Sequence, residues 1–194
     1  MILFMKKLQL FSLFILLGFV QLKKAEAGLY FEPFGTSVVK GELTNNDPAV
    51  TSSLREAKLE GIQYGARLGL AFRGISIGGE YETGTLDRDW DEVTFTDGEL
   101  ETTNIGAFLR SQYGPLALYA TYIFDAEHDL DYNKHILKGD GFKLGVGIML
   151  FYNFNLIVEY KTIDYDEYEN NPGVIKAYEE SEIIAVGLSL PFGL

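Results

Sequence analysis

Residues 62–72 and 142–150 place apolar side chains at every second position. In the first segment Ile62, Tyr64, Ala66, Leu68, Leu70 and Phe72 share one face, and Gln63, Gly65, Arg67, Gly69 and Ala71 share the other. In the second, Phe142, Leu144, Val146, Ile148 and Leu150 oppose Lys143, Gly145, Gly147 and Met149. A period of two belongs to the strand, whose successive side chains point to opposite sides. The lengths match the roughly 9–11 residues with which a tilted strand crosses a bilayer. A sheet facing water on one side alternates in the same way, so the rest of the chain must decide between the two.

The N-terminus has the layout of a secretory signal: Lys6 and Lys7, an apolar run over 8–20, then Ala25-Glu26-Ala27. This predicts a cleaved signal peptide over 1–27 and one barrel domain over 28–194. An uncleaved short membrane helix is the alternative, and the A-x-A site favours cleavage. Removal of 1–27 leaves 167 residues with 12 basic and 27 acidic side chains, net −15. Nucleic acid is a poor partner for such a surface, because phosphate contacts need the opposite sign. The chain has no cysteine, so disulfides, thiol chemistry and a lipid-bearing cysteine are excluded. No later run approaches the roughly 18 apolar residues of a membrane helix. If the exported chain crosses a bilayer, it must do so as a closed barrel.

Eight strands are expected, over 29–39, 61–73, 75–84, 102–113, 116–124, 141–151, 154–163 and 183–192. Tight turns at Arg73-Gly74, Gly114-Pro115 and Tyr152-Asn153 alternate with long connections over 40–60, 85–101, 125–140 and 164–182. That rhythm predicts an all-β, eight-stranded antiparallel up-and-down transmembrane barrel with short periplasmic turns and long extracellular loops. The charge gathers in the long connections: 85–101 and 164–182 each hold seven acidic residues and one basic. Solvated loops explain this, and it keeps ionised groups out of hydrocarbon. Two aromatic girdles are expected, Phe72, Tyr113, Phe151, Tyr152, Phe154 and Phe192 near the turns, and Tyr81, Tyr122, Phe124, Phe142, Tyr160 and Tyr165 toward the loops.

The opposite strand faces place Glu32, Arg67, Glu80, Glu82, Arg110, Lys143, Glu159 and Lys161 in the lumen, four acids and four bases. An eight-stranded barrel is just wide enough for its own side chains. These residues are therefore candidates for internal ion pairs that fill it, with Gly65, Gly69, Gly106, Gly145, Gly147 and Gly187 making room. A gated, narrow conductance is the alternative reading of the same residues.

With Gly28-Leu29-Tyr30-Phe31-Glu32-Pro33 opening the exported chain, the strand motif Gly145-Val146-Gly147, and a final strand ending Leu188-Ser189-Leu190-Pro191-Phe192-Gly193-Leu194, the sequence resembles the small bacterial outer-membrane barrels of the OmpA transmembrane-domain and OmpX type. The resemblance is architectural and spans essentially 28–194. It implies residence in the Gram-negative outer membrane. Its implied partners are outer-membrane lipid, lipopolysaccharide and the insertion machinery, which reads an aromatic near the end of the last strand. Phe192 suits that role, and the terminal Leu194 departs from the pattern.

Some small barrels modify lipids, but the only imidazoles are His128 and His135, both in the third long connection, with no serine close in sequence. A triad using Ser181 could be assembled only across loops. Asp87, Asp89 and Asp91 imitate the opening of a calcium loop, yet its sixth position is Glu92 and its twelfth Gly98, so the motif fails. A looser sharing of divalent cations with lipopolysaccharide phosphates stays open. No catalytic, cofactor-binding or metal site is read from the sequence. The expectation is a monomeric outer-membrane barrel with a structural or surface-interaction role, a plugged ion-paired lumen and acidic extracellular loops. A narrow channel or small-solute facilitator is the alternative, ahead of a lipid-modifying enzyme or a soluble lipocalin-like barrel.

Overall fold

The computed structural model describes residues 27–46, 56–90, 98–130, 135–151, 153–170 and 173–193. The expected signal segment up to residue 26, together with Asp91, Glu92, Tyr152 and Leu194, lies outside the described residues. Nine strands follow in chain order: β1 Ala27–Asn45, β2 Glu56–Phe72, β3 Ile75–Trp90, β4 Gly98–Tyr113, β5 Leu116–Leu130, β6 His135–Phe151, β7 Phe154–Asn170, β8 Gly173–Ser189 and β9 Phe192–Gly193. β1 to β8 each pair antiparallel with their sequence neighbours, β1 pairs with β8 as well as β2, and β9 pairs with β1. The sheet thus closes into an eight-stranded up-and-down barrel. Pro191, which has no N–H to donate, interrupts the last strand. Phe192 and Gly193 then rejoin β1 opposite Phe31 and Tyr30, with the Phe192 ring stacked on Phe31.

Two of the tight turns are explained by backbone geometry. Arg73 and Gly74 both have positive φ, 43° and 84°, as the twist-matched hairpin turn requires. Gly114 likewise has φ 58°, and Pro115 beside it supplies a carbonyl that accepts from the Met149 N–H.

The strands are longer than the alternation of residue types predicts. Much of what reads as long acidic connection is strand, because β1 runs to Asn45, β2 starts at Glu56 and β7 runs to Asn170. A strand of 17 residues such as β2, at about 3.3 Å per residue and a tilt near 40°, rises about 40 Å. The lipid-facing band of such a barrel is only about 25 Å tall.

The outward face marks where that band lies. Leu29, Ile62, Tyr64, Leu68, Leu70, Ile77, Tyr81, Phe124, Leu144, Val146, Ile148, Tyr160, Ile184 and Val186 are all exposed, Ile62 to 64%. They define segments suited to hydrocarbon over 29–39, 62–72, 75–84, 104–113, 116–124, 142–151, 154–162 and 184–192. Beyond them, on the side away from the tight turns, the same strands turn acidic outward. Glu60, Asp87, Glu99, Glu101, Asp129, Asp140, Asp164 and Glu182 replace the apolar residues there, all exposed.

The interior inverts in step. Within the band it is polar; above it, Leu43, Leu59, Leu86, Leu100, Ile123, Ala126, Leu137, Ile163 and Ile183 form one buried apolar cluster. The barrel therefore has two storeys, one with lipid outside and charge inside, the other with water outside and hydrocarbon inside. Apart from one irregularity beside the β6–β7 turn, the breaks in ladder register fall near or above the boundary: between Ser37 and Glu42, Val38 and Lys40, Ile105 and Gly106, Ile123 and Ala126, Lys138 and Gly139, and Tyr165 and Glu167. Bulges of this kind add a residue to one strand and bend it.

Candidate functional site: the ion-paired lumen

All eight sequence-predicted lumen residues face inward and are at most 4% exposed. The guanidinium of Arg67 on β2 sits at the centre. Its Nε donates to Glu80 Oε2 at 2.6 Å, Nη1 to Glu32 Oε2 at 3.2 Å, and Nη2 to Glu159 Oε1 at 2.8 Å. One cation thus links β1, β2, β3 and β7 across the lumen. The rings of Phe34 and Tyr119 flank it, with centroids 4.4 and 4.0 Å from Cζ. This is the planar, stacking, several-fold donation that arginine supports and lysine does not.

Toward the upper storey, Lys143 Nζ donates to Glu80 Oε1 at 2.7 Å and to Glu82, and lies 3.7 Å from Glu159 Oε2. Lys161 Nζ donates to Glu82 Oε1 at 2.5 Å and Gln63 Oε1 at 2.8 Å. Toward the tight turns, Arg110 Nε is 3.8 Å from Glu32 Oε2, and Arg110 Nη2 donates to Gln112 Oε1 at 2.5 Å. The layer holds four cations and four carboxylates, joined into one continuous network.

Sequence reasoning on charged residues alone missed the neutral members. Ser189 Oγ and Tyr30 OH each donate to Glu32 at 2.6 Å. Tyr119 OH donates to Glu159 Oε1 at 2.5 Å, Thr121 Oγ1 to Glu80 Oε2 at 3.0 Å, and Asn104 Nδ2 to Glu82 Oε1 at 2.9 Å. They occupy the same alternate positions as the charges, so strand parity was the available signal. The glycines also have a more specific task than making room for long charged chains. A Cβ on Gly145 would lie 2.0 Å from Tyr119 Cζ, and one on Gly65 would lie 2.8 Å from Phe34 Cζ. These two glycines admit the two rings that flank Arg67.

The other expectations divide. Tyr81, Tyr122, Phe124 and Tyr160 are outward and exposed, with Tyr122 OH donating to Asp140 and Tyr160 OH to Glu182. Tyr165 does not join them. It turns inward, 2% exposed, and its OH lies 2.7 Å from His128 Nε2, because the strand continues upward and its parity carries the ring into the apolar cluster. His128 is therefore paired with a tyrosine and buried. Burial, with Lys161 and Arg88 nearby, lowers its pKa to about 3, so it is a neutral imidazole. Asp87 and Asp89 sit on β3 as alternate strand positions facing out, not in a loop. Among the described residues no group of three or more His, Asp or Glu side chains is arranged to hold a metal ion.

Closed topology, a lumen filled by its own side chains and an outward apolar band define the class: a small transmembrane β-barrel. Comparison with solved structures supports that class. Neisserial surface protein A (NspA) superposes with TM-score 0.52 at 16% identity, over 88% of this chain and 100% of that one. Ail, the attachment invasion locus protein of Yersinia pestis, gives 0.53 at 12% identity, over 85% and 99%. The chain has the fold of these small eight-stranded outer-membrane barrels. No protein-family model and no curated protein matches its sequence.

Proposed function

We propose that this chain is an exported, monomeric outer-membrane protein with a closed lumen, acting through its extracellular face and not by conduction. The observation that carries this reading is the seal. Arg67, Lys143 and Glu82 have no exposed surface at all, and an apolar cluster stands directly above them. A narrow channel needs a continuous polar path, and two successive packed layers of opposite character weigh against one.

Lipid and lipopolysaccharide would surround the apolar band, and the insertion machinery would read Phe192, which is exposed beside Phe31.

The acidic collar supports a role at the surface. Glu60 faces Asp87, Asp87 faces Glu99, Glu101 faces Asp129, and Asp164 lies between Asp140 and Glu180. Like charges directly opposite one another cost stability, by roughly 0.2–1 kcal/mol a pair. Folding alone does not account for that arrangement. Ail has been crystallised in complex with the heparin analogue sucrose octasulfate; the collar here makes a polyanion an unfavourable partner and a cationic one favourable.

Planar-bilayer recording of the refolded protein tests the reading. We expect no steady conductance and no ohmic step on insertion. Reproducible open levels in wild-type protein would sink it.

A further inference from the structure

The upper storey holds a buried imidazole whose surroundings disfavour its charged form. His128 is 1% exposed inside the barrel, above the lipid-facing segment of β5. Its Nε2 is engaged by the Tyr165 hydroxyl, the two rings lie 4.6 Å apart, and Nδ1 has no hydrogen-bond partner among the described residues. The charged groups that act on it directly are Lys161 from β7 and Arg88 from β3; its partner Tyr165 lies within the field of Glu179 from β8 and Glu82 from β3, and Tyr168 from β7 within that of Glu179 and Arg88. β4 and β6 set Thr102 and Leu137 opposite it, neither of which titrates. The doubly protonated ring donates from both nitrogens, so Nδ1–H is without an acceptor whichever way the Tyr165 hydroxyl turns, and it adds a cation to a site that already feels Lys161 and Arg88.

The storey also has the construction of a separately opening unit. Its core is the apolar cluster of Leu43, Leu59, Leu86, Leu100, Leu137 and Ile163, with ladder irregularities on β1 and β5 near its lower edge and one on β7 beyond Tyr165. On β2 the boundary falls at Gly61, whose φ of 152° and close approach to Thr85 O leave no space for a side chain. Segments with their own core and interrupted ladders open as cooperative units below the global unfolding free energy.

We propose that the extracellular storey is an acid-responsive cap: the His128–Tyr165 contact latches it when His128 is neutral, and protonation of His128 releases it while the lipid-embedded storey stays closed. The released state exposes the apolar lining to the outside. The sign follows from linkage. A histidine whose folded pKa of about 3 lies below the ordinary 6.5 stabilises the closed cap fully above pH 6.5 and progressively less as pH falls toward 3. Between pH 7.5 and 5 the opening equilibrium should rise about 30-fold. Glu179 works in the opposite direction, since burial holds its carboxyl above the usual range and acid stabilises it.

Hydrogen exchange of the refolded full chain in micelles, resolved by peptide and corrected for intrinsic rates, tests this in the Glu179→Gln background. Protection over 100–103, 126–129, 136–139 and 165–168 should fall about 30-fold from pH 7.5 to 5, while 66–70, 144–148 and 156–160 hold. In wild type the same peptides should respond less. Adding His128→Gln should abolish the response. Unchanged protection in Glu179→Gln, an equal loss in the lower storey, or an undiminished response with His128→Gln overturns the proposal. The first two outcomes need no folded His128 variant.

Discussion

Replacing Arg67 by Met tests whether the lumen is held by balanced charge or merely filled. The substitution keeps most of the side-chain volume and removes a cation that bonds three carboxylates at 2.6, 2.8 and 3.2 Å. Four carboxylates then face three cations in an interior where none of those carboxylates is more than 4% exposed. Breaking a buried pair from one side costs about 3–5 kcal/mol, because the remaining charge keeps its desolvation penalty without compensation. Loss of the Phe34 and Tyr119 stacking adds about 1 kcal/mol, which places the expected cost near the upper end, about 5 kcal/mol. Restoring neutrality should rescue it: Arg67→Met with Glu159→Gln leaves three cations against three carboxylates. A coupling of about 2 kcal/mol in favour of the double variant is expected. Equilibrium urea unfolding in lipid vesicles, followed by circular dichroism and by the mobility of unheated samples on gels, reads both numbers. If Arg67→Met lies within about 1 kcal/mol of wild type, or the double variant is no more stable than Arg67→Met, the lumen is not held by charge balance.

Three further outcomes follow from the same geometry. Gly145→Ala drives a Cβ into the Tyr119 ring; it should cost about 1–3 kcal/mol by overpacking and alter the near-ultraviolet dichroism of the tyrosines, whereas Gly98→Ala, with nothing within 4 Å, should be silent in both measurements. Leu86→Ala, at a side chain with no exposed surface, should cost about 2–5 kcal/mol, and hydrogen exchange should locate the loosening in the upper storey and not in the ionic layer. Val146→Arg, in the middle of the lipid-facing band, should cost about 2–4 kcal/mol in vesicle unfolding, while Glu60→Arg on the same outer surface above the band, opposite Asp87, should cost nothing and stabilise by about 0.2–1 kcal/mol.

The parity of the lipid-embedded strands is legible in the sequence because both faces speak clearly there. On β2, Ile62, Tyr64 and Leu68 go outward and Gln63 and Arg67 inward, so the charged lumen residues can be picked out one by one. The upper storey is illegible for a physical reason. The strand keeps its parity, but the solvent outside changes from lipid to water, so the apolar residues switch faces: Ala57 and Leu59 point inward while Lys58 and Glu60 point outward. A period-two pattern that inverts its phase at Gly61 looks like the end of one strand and the start of a charged loop. The same inversion on β7 sends Tyr165 inward when composition places it in a girdle. Which carboxylate meets which cation is a further matter that alternation does not carry, since it depends on the stagger of strands distant in the chain.

That distance bears on how the barrel is made. Ser189 reaches Glu32 across 157 residues, Lys161 reaches Gln63 across 98, and Arg67 reaches Glu159 across 92. No hairpin of neighbouring strands in sequence contains both halves of these contacts, and the seam between β1 and β8 needs the last full strand of the chain. Contacts so remote in sequence form late, after the entropy of closing long loops has been met. Until then Arg67, Lys143 and Lys161 have to keep their hydration, because a desolvated charge without its partner is the costliest intermediate available. Dehydration of the ionic layer is therefore tied to closure of the β1–β8 seam, because only closure brings Ser189 to Glu32.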